Sequence, residues 1–492
     1  MKYYIGSDLG TSALKLLLVD IEGNVKREVS RSYSVAYPNP GWSEQSPADW
    51  WEAFKTGIRE LVEGIAPEEI LGIGAGGQMH GLVVLDKEDQ VIRPAILWND
   101  GRTDKETEYL NTVVGKEALS GFTANIAFAG FTAPKILWMQ NQEPENFKRI
   151  SKIMLPKDYI NYKLTGVHCT DFSDASGMLL LDVKNRCWSQ QMMEICGIKE
   201  VQLPELYESY EVVGTLLPEV AAELGLNPNI KVVAGVGDNA AAAVGTGTVS
   251  EGRCNISLGT SGTVFISSKE FTVDESNALH AFCHADGGYH LMGCILSAAS
   301  CNKWFCEDIL KCTDYAGEQA DITDEKLGSN DVFFLPYLMG ERSPINDTDA
   351  RGTFVGMRAD TSRSDMVQAV LEGVAFAIRD TVEMAKAQGI EITSSGLCGG
   401  GAKSPLWQKI LCNVLNIEIT LPQTEQGPGY GGALLAMVGT GEFATVKECA
   451  DHFVEIKKTL VPESEMVARY EERYNKFKEI YPAMQELFKR IK

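Results

Sequence analysis

The sequence of 492 residues lacks any apolar run of the ~18 residues that a membrane-spanning helix needs. The first residues, MKYYIGSDLG, lack the apolar core and the small-residue cleavage site of a secretion signal, so we expect a cytoplasmic protein. Positive charge is also scarce, because 45 Lys and Arg face 67 Asp and Glu and give a net charge of −22. That charge would repel nucleic acids and anionic membranes, and neither is expected as a partner.

The 12 cysteines lack the spacing of a metal site or of a disulfide framework. They are scattered along the chain, and Cys254, Cys398 and Cys412 each lie in an apolar segment. Cys301 and Cys306 form the tightest pair, but no second pair accompanies them as a zinc site would require. We therefore expect reduced and mostly buried thiols.

The segment HAFCHADGGYH brings three histidines and a cysteine close together and raises the question of a metal site. The four candidate ligands are His280, Cys283, His284 and His290. Asp-Gly-Gly-Tyr predicts a hairpin turn, and in a strand Cys283 faces away from His280 and His284. We therefore favour structural packing over metal binding in this segment.

Strand and helix patterns alternate along a chain that is too long for one ordinary core, which predicts an α/β protein of two domains. Both halves contain an apolar hairpin around Leu-Gly-Thr-Ser, at residues 9–12 and again at 258–261. We expect two similar domains, 1–247 and 248–441, with a cleft between them. Charged and apolar residues alternate at helical spacing in 442–492, which predicts a helical tail packed on the second domain.

The repeated turn consists of small residues whose backbone amides and hydroxyls can converge on the oxygens of a phosphate. A single turn of this kind is ordinary turn chemistry. A duplicated turn in two similar domains favours a clamp that holds a phosphate tail from two sides. The two copies differ in one respect, because Asp8 precedes the first turn where Ser257 precedes the second.

A third glycine-rich segment, VVAGVGDNAAAAVGTG, leads from a buried strand into a helix that starts near Asp238 and Asn239. Asp238 as an ordinary N-cap is the structural alternative. The flanking Gly235 and Gly237 and the alanines that follow clear space for a ligand, and they favour a functional role for Asp238.

A fourth segment, LCGGGAKSPLWQ, places three glycines between a buried strand and a helix with Ser404 as N-cap and Pro405 at its first position. The glycines form a flat surface that suits a planar ring such as adenine, and a plain tight turn is the alternative. The spacings of the dinucleotide fingerprint and of the Walker A loop are absent.

In this order, the elements resemble the FGGY carbohydrate kinases, a branch of the actin-like ATPases. Segment 130–142 matches the first signature of that family, with Thr132, Lys135 and Trp138 at the required spacings. Segment 352–372 matches the second signature at Gly356, Asp365, Ala369 and Glu372. The resemblance covers nearly the whole chain and implies two actin-like (ribonuclease H-like) ATPase domains with a catalytic cleft between them.

Within the family, GGQMHG, DFSDASGMLLLDV and YLMGERSP resemble the branch that phosphorylates D-xylulose. In that branch a Met-His pair, here Met79 and His80, lines the sugar pocket, although a lone histidine in an apolar stretch is more often structural. The resemblance implies ATP-dependent phosphorylation of D-xylulose at its C5 hydroxyl, in pentose catabolism. The alternatives are an FGGY kinase for D-ribulose, L-xylulose or ribitol and, more remotely, a non-sugar actin-like ATPase.

The resemblance also implies a role for each remaining candidate residue. Asp238 is the expected catalytic base, with Asn239 and His80 orienting the sugar. Asp8 is expected to hold Mg²⁺ through water, because that ion keeps several waters. The expected ATP contacts are Thr11, Ser12 and Thr260 at the phosphates and Gly400, Gly401 and Ser404 at the adenosine. The expected partners are a sugar and ATP, and a homodimer is one candidate assembly.

One segment departs from the family pattern. Pro428 and Tyr430 stand where relatives tend to have small residues, directly before the helix pattern GGALLAMVG. The sequence therefore does not determine the path of the chain near the nucleotide at this segment, although it predicts the helix itself.

Overall fold

The computed structural model describes residues 1–423 and 427–491. They fall into two compact units, and the first comprises the described residues 1–249, 281–290 and 427–454. The second unit comprises 250–280, 291–423 and 455–491. The units interleave along the chain, and the division into 1–247, 248–441 and 442–492 stays a prediction from the sequence. In the described part of the chain, no helix combines the length and the apolar character needed to cross a membrane.

Short strands and helices alternate through the first half of the chain. Its strands are β1 (Tyr3–Leu9), β2 (Ala13–Asp20), β3 (Val25–Ser32), β4 (Glu44–Gln45), β5 (Ile70–Gly77), β6 (Val83–Leu85), β7 (Ala95–Ile96), β8 (Lys152–Met154), β9 (Cys169–Asp171), β10 (Leu181–Asp182), β11 (Cys187–Trp188), β12 (Glu205–Tyr207), β13 (Val212–Thr215), β14 (Lys231–Val233) and β15 (Val236–Gly237). Its α-helices are α1 (Pro47–Leu61), α2 (Asp104–Tyr109), α3 (Lys116–Thr123), α4 (Thr132–Gln142), α5 (Pro144–Arg149), α6 (Pro156–Thr165), α7 (Phe172–Ala175), α8 (Gln190–Cys196), α9 (Pro218–Leu224) and α10 (Asp238–Gly245).

The second half continues the alternation with longer helices. Its strands are β16 (Arg253–Leu258), β17 (Gly262–Ser268), β18 (His280–Cys283), β19 (Tyr289–Ile295), β20 (Phe333–Leu335), β21 (Thr353–Val355), β22 (Ser394–Cys398), β23 (Glu418–Pro422) and β24 (Ile456–Leu460). Its α-helices are α11 (Ala299–Lys303), α12 (Tyr315–Gln319), α13 (Arg363–Ala387), α14 (Pro405–Leu415), α15 (Gly427–Thr440), α16 (Val446–Phe453) and α17 (Ser464–Arg490). Short 3₁₀ helices span Pro67–Glu69, Ser176–Met178, Glu200–Gln202 and Gly400–Lys403, and π-helical turns span Leu110–Gly115 and Trp304–Ile309.

The main sheets of the two units repeat one arrangement. In the first unit the order is β13-β14-β5-β1-β2-β3, and in the second it includes β24-β23-β22-β16-β17. In each sheet, the two strands of a hairpin pair antiparallel. The first strand of the hairpin also pairs parallel with its other neighbour in the sheet, β1 with β5 and β16 with β22. A further parallel strand and an antiparallel edge strand follow in both units. The two hairpins predicted at 9–12 and 258–261 are therefore confirmed, together with the two-domain α/β class.

Close approach of glycines holds α15 against the sheet of the first unit. A Cβ atom at Gly6 of β1 would lie 1.8 Å from the carbonyl oxygen of Gly429, and one at Gly74 of β5 would lie 2.0 Å from that of Gly432. Small residues are therefore required on both sides of this contact. An apolar cluster that includes Trp50, Phe54 and Ile58 of α1 forms the core of the same unit.

Helix α10, which contains the alanines that follow Asp238, also packs against α15. A Cβ atom at Gly431 of α15 would lie 2.0 Å from the carbonyl oxygen of Ala241 in α10. Tyr430 is buried, and its hydroxyl donates to the carbonyl of Gly23 at 2.9 Å. The helix predicted after Pro428 is thus confirmed, and its Gly431 lies against the backbone of α10 at Ala241.

The carboxyl-terminal segment contributes helices to both units. Helix α16 belongs to the first unit and α17 to the second. Met466, Tyr470, Tyr474 and Phe477, which the sequence places at helical spacing, are all buried along α17. Glu372, a residue of the second signature, accepts hydrogen bonds from the Tyr470 hydroxyl at 3.0 Å and from Arg473 at 2.9 Å. That signature residue therefore anchors α17 to α13.

Candidate active site

The first unit places Asp238 at the amino-terminal end of α10. Gly235 has φ +80° and its Cβ position lies 2.2 Å from the carbonyl oxygen of Ala75, so only glycine fits in the turn before it. Gly237 occupies the N-cap position, and Asp238 is the first helical residue. The Asp238 carboxylate accepts hydrogen bonds from the backbone N–H of Asn239 at 2.7 Å and from its side-chain amide at 3.1 Å. The plain N-cap alternative is thus not the observed arrangement.

Asp8 lies at the same edge of the sheet as the start of α10. In the parallel register, Asp8 of β1 and Val236 of β15 both lie opposite Gly76 of β5. Burial raises the pKa of Asp8 to about 6, an effect that Lys15 partly offsets. Burial and the negative charge of Asp8 together raise the pKa of Asp238 to about 7. A carboxylate with a pKa near neutrality is well suited to accept a proton from a hydroxyl group.

The signature residues of α4 hold the backbone at His80. Thr132 Oγ1 and Lys135 Nζ donate to the carbonyl oxygen of His80 at 3.0 and 2.9 Å. His80 has φ +67°, a conformation that costs free energy for a residue with a side chain and therefore needs such support. The first signature thus fixes the conformation of the predicted sugar-binding pair.

The imidazole ring of His80 is fixed as well. Its Nδ1–H donates to the carbonyl of Gly177 at 2.7 Å, and the ring stacks on Phe131 with centroids 4.7 Å apart. The side-chain amide of Asn239 lies 3.8 Å from the sulfur of Met79. Met79, His80, Asp238 and Asn239, which the sequence nominates for sugar binding, are therefore brought together in the first unit.

The first Leu-Gly-Thr-Ser turn is tied to this site through Thr11. Its hydroxyl donates to Oε1 of Gln78 at 3.2 Å and accepts from Nε1 of Trp98 at 3.0 Å. The hydroxyl proton of Thr11 is therefore used within the protein, whereas the side chain of Ser12 is exposed. Sequence reasoning missed Gln78 and Trp98 in this network, although Gln78 directly precedes Met79.

The second unit contains a pocket of about 700 Å³, which is large enough for a nucleoside. Thr260, Gly400, Gly401 and Ser404, all predicted ATP contacts, line it. Ser404 caps α14 as predicted, because its hydroxyl oxygen accepts from the backbone N–H of Trp407 at 3.1 Å. Other lining residues that the sequence did not indicate include Asn302, Lys303, Tyr315, Gln319 and Trp407.

The three consecutive glycines before α14, residues 399–401, differ in their surroundings. A Cβ atom at Gly401 would lie 2.9 Å from the Trp407 ring, and one at Gly399 would lie 2.7 Å from the carbonyl oxygen of Leu258. A Cβ atom at Gly400 would meet no protein atom within 4 Å. Packing therefore explains Gly399 and Gly401, and an open pocket surface is present at Gly400.

In the histidine-rich segment, the histidine rings pack against other rings, and one of them donates a hydrogen bond to a backbone carbonyl. His284 Nε2–H donates to the carbonyl of Thr248 at 2.8 Å, and the His290 ring packs edge-on against His284 and Phe282. Across residues 1–423 and 427–491, no group of three His, Cys, Asp or Glu is arranged to hold a metal ion.

Two family models match the chain on either side of residue 250. The amino-terminal domain of the FGGY family of carbohydrate kinases matches residues 3–245, and the carboxyl-terminal domain of that family matches 254–440. The chain belongs to the FGGY family of carbohydrate kinases. The duplicated sheet is accordingly the actin-like ATPase fold of this family.

Several relatives are similar over nearly their whole length. The xylulose kinase of Escherichia coli K12 is 39% identical over 484 residues, which cover 97% of this chain and 98% of the relative. The crystal structure of a xyloylose kinase from Brucella ovis has a TM-score of 0.93 at 41% identity and covers 99% of this chain and 100% of its own. Ligand-bound xylulose kinase and gluconate kinase from Lactobacillus acidophilus each have a TM-score of 0.94 at 27% identity, with 100% of both chains covered.

Proposed function

We propose that this protein transfers the γ-phosphoryl group of ATP to the C5 hydroxyl of D-xylulose. The observation that carries the proposal is the position of Asp238, a carboxylate with a pKa near neutrality, beside Asn239, whose side-chain amide lies 3.8 Å from the sulfur of Met79. The nearly full-length similarity to xylulose kinases supports the choice of sugar. ATP use also favours a cytoplasmic enzyme.

Asp238 would act as the base of the transfer step. The C5 oxygen forms a bond to the γ-phosphorus while the bond from that phosphorus to the β–γ bridging oxygen breaks, and ADP leaves. The hydroxyl proton passes to the Asp238 carboxylate and then to solvent. The side chains of His80 and Asn239 would orient the sugar so that this hydroxyl faces Asp238.

The pocket of the second unit would hold the nucleotide. Gly400, Gly401 and Ser404 would contact the adenosine, and the turn at Thr260 would contact the phosphates. At the first turn, Ser12 and the backbone amides are better placed than the Thr11 hydroxyl, whose proton is already donated to Gln78. Backbone amides in a tight turn bind phosphate oxygens well, even in a protein of strongly negative charge.

Asp8 fits the role of an anchor for Mg²⁺. It offers hard oxygen ligands, and burial raises its pKa, so a divalent cation would offset the cost of its buried charge. Bound Mg²⁺ would supply charge neutralisation to the phosphate oxygens during transfer. Asp8 would hold the ion through water, and Asp238 would remain available for the hydroxyl proton.

An ATP-turnover assay across candidate acceptors tests the proposal. We expect D-xylulose to stimulate ADP release at least 100-fold over the rate without sugar, and more than D-ribulose, L-xylulose or ribitol. Gluconate belongs in the panel, because a gluconate kinase shares the fold at a TM-score of 0.94. Omission of Mg²⁺ should abolish turnover. If no acceptor stimulates ADP release, the kinase proposal fails, and if another acceptor is preferred, D-xylulose is the wrong substrate.

A further inference from the structure

A cluster of buried charges lies behind Asp238 in the first unit. Lys157 Nζ lies 2.6 Å from a carboxylate oxygen of Asp158, 3.0 Å from Asp171 and 3.7 Å from Asp174, and all four side chains are fully buried. One cation thus faces three carboxylates, and burial of charge is costly unless its partners are well placed. Burial and neighbouring negative charges, including that of Asp238, hold the pKa of Asp174 well above its ordinary value. Because burial of these charges is costly, stability alone does not explain the cluster.

Asp171 connects the cluster to two serine hydroxyls. Its Oδ2 accepts hydrogen bonds from the backbone N–H and from the hydroxyl of Ser173. The same oxygen accepts from the hydroxyl of Ser209 at 2.7 Å. The proton of each hydroxyl therefore points to Asp171, which leaves the lone pairs of each serine oxygen for other donors.

The hydroxyl oxygen of Ser173 accepts a hydrogen bond from the residue that precedes Asp238. The backbone N–H of Gly237 donates to Ser173 Oγ at 3.3 Å. Gly237 is the N-cap of α10, so this bond holds the peptide unit that joins Val236 to Gly237, one residue before Asp238. Hydrogen bonds in series polarise one another, and the negative charge of Asp171 strengthens Ser173 as an acceptor.

Other contacts hold the chain further upstream. The side-chain amide of Asn161 donates to the carbonyls of Val233 and Ala234 at 3.2 and 2.8 Å. The backbone N–H of Gly235 donates to the backbone carbonyl of Ser209 at 3.1 Å. These bonds fix β14 and the turn that follows it, and the bond to Ser173 lies closest to the carboxylate.

We infer that Ser173 is a positioning residue for Asp238, with Asp171 orienting its hydroxyl. The inference rests on the proposed function, because it takes Asp238 as the base. Without the Ser173 oxygen, the peptide unit before α10 loses a partner and the Asp238 carboxylate can rotate away from the sugar hydroxyl. A displacement of ~1 Å can cost ~100-fold in rate. Ser173 does not line the nucleotide pocket, and Thr132, Lys135 and Gly177 bond to His80, so we expect substrate binding to be retained.

Ser209 provides a matched control. Both serines are buried, and both donate a hydroxyl hydrogen bond to the same oxygen of Asp171. In the described residues, the hydroxyl of Ser209 has no bond to Gly237. Ser173→Ala and Ser209→Ala therefore remove the same group from the same carboxylate, and they differ in the contact with Gly237.

The experiment compares kcat, KM for D-xylulose, KM for ATP and Tm in the two variants. We expect Ser173→Ala to lower kcat at least 10-fold with both KM values within twofold, and Ser209→Ala to keep kcat within twofold. Amide exchange at Gly237 should rise in Ser173→Ala and stay unchanged in Ser209→Ala. Equal kcat values in the two variants, or unchanged exchange at Gly237, would overturn the inference. If Ser173→Ala does not fold, Ser173→Cys can replace it, because cysteine has a similar side-chain volume and a weaker acceptor atom. Ser173→Cys should then have a lower kcat and faster amide exchange at Gly237 than Ser209→Ala.

Asp238→Asn separates this inference from the proposed function. If Asp238→Asn turns over near the wild-type rate, Asp238 is not the base, and the proposed mechanism and the inference fall together. If Asp238→Asn is inactive and the two serine variants are alike, Asp238 stays the base and the positioning role of Ser173 is wrong.

Discussion

Asp238 and Asp8 share one edge of the sheet in the first unit, and burial raises the pKa of both. The negative charge of Asp8 is one cause of the raised pKa of Asp238, after burial. Asp238 has the higher pKa and receives hydrogen bonds only from Asn239 among the described residues. Its protonation state should therefore control the proposed transfer near neutral pH.

The acid side of the pH–rate profile should report this group. A base must be deprotonated, so kcat/KM should fall as pH drops through about 7, with a limiting slope of ~10-fold per pH unit. Steady-state rates between pH 5 and 9 at saturating Mg²⁺ would show it. Asp238→Asn should lower kcat at least 1,000-fold at pH 8 with little change in the KM for sugar. A flat profile between pH 5 and 8 would contradict the assignment of Asp238.

The same pKa gives a stability prediction that is independent of activity. A carboxyl whose pKa is higher in the folded state stabilises the fold fully below pH 3.8, and this contribution is lost as pH rises through about 7. Asn carries no charge, so Asp238→Asn should raise Tm at pH 8. The gain should shrink as pH falls from 7 towards 4. A Tm difference that does not depend on pH would show that the Asp238 pKa is ordinary.

At the scale of elements, the sequence pattern was sufficient for the two hairpins, because each alternates apolar strands with a small-residue turn. Ser404 and Pro405 also mark the start of α14 as predicted. Local pattern could not show that α10 packs on α15, since that contact joins segments almost 200 residues apart. Nor could it show that the Thr11 hydroxyl is engaged with Gln78 and Trp98.

The glycine loop before α14 offers a test at the same scale. Gly400→Ala adds a methyl group that meets no protein atom, so Tm should stay within 1 °C while the KM for ATP rises at least fivefold. Gly401→Ala places its methyl 2.9 Å from the Trp407 ring and should cost ~1–3 kcal/mol of unfolding free energy. Thermal unfolding and ATP kinetics separate the two effects. A Gly400→Ala enzyme with unchanged KM for ATP would remove this loop from the nucleotide site.

At the scale of the whole molecule, the two signatures bind distant parts of the chain to one another within each unit. Thr132 and Lys135 lie more than 50 residues after His80 in the sequence and donate hydrogen bonds to its backbone carbonyl. Glu372 accepts hydrogen bonds from two residues of α17 that lie about 100 residues later in the sequence. The sequence marked these residues by resemblance, but their partners could not be predicted, because long-range hydrogen bonds leave no local pattern.

Glu372 gives the sharpest test of this organisation. The carboxylate is buried and accepts from Gln368, Tyr470 and Arg473. Glu372→Gln leaves the buried Arg473 without its counter-charge and should lower the unfolding free energy by ~3–5 kcal/mol. Glu472→Gln, on the exposed side of α17, removes an ion pair with Lys476 and should leave denaturant unfolding unchanged. Because Glu372 is placed outside the proposed site, kcat should stay near wild type below the lowered Tm. Equal unfolding midpoints in the two variants would show that α17 is held by its apolar residues alone.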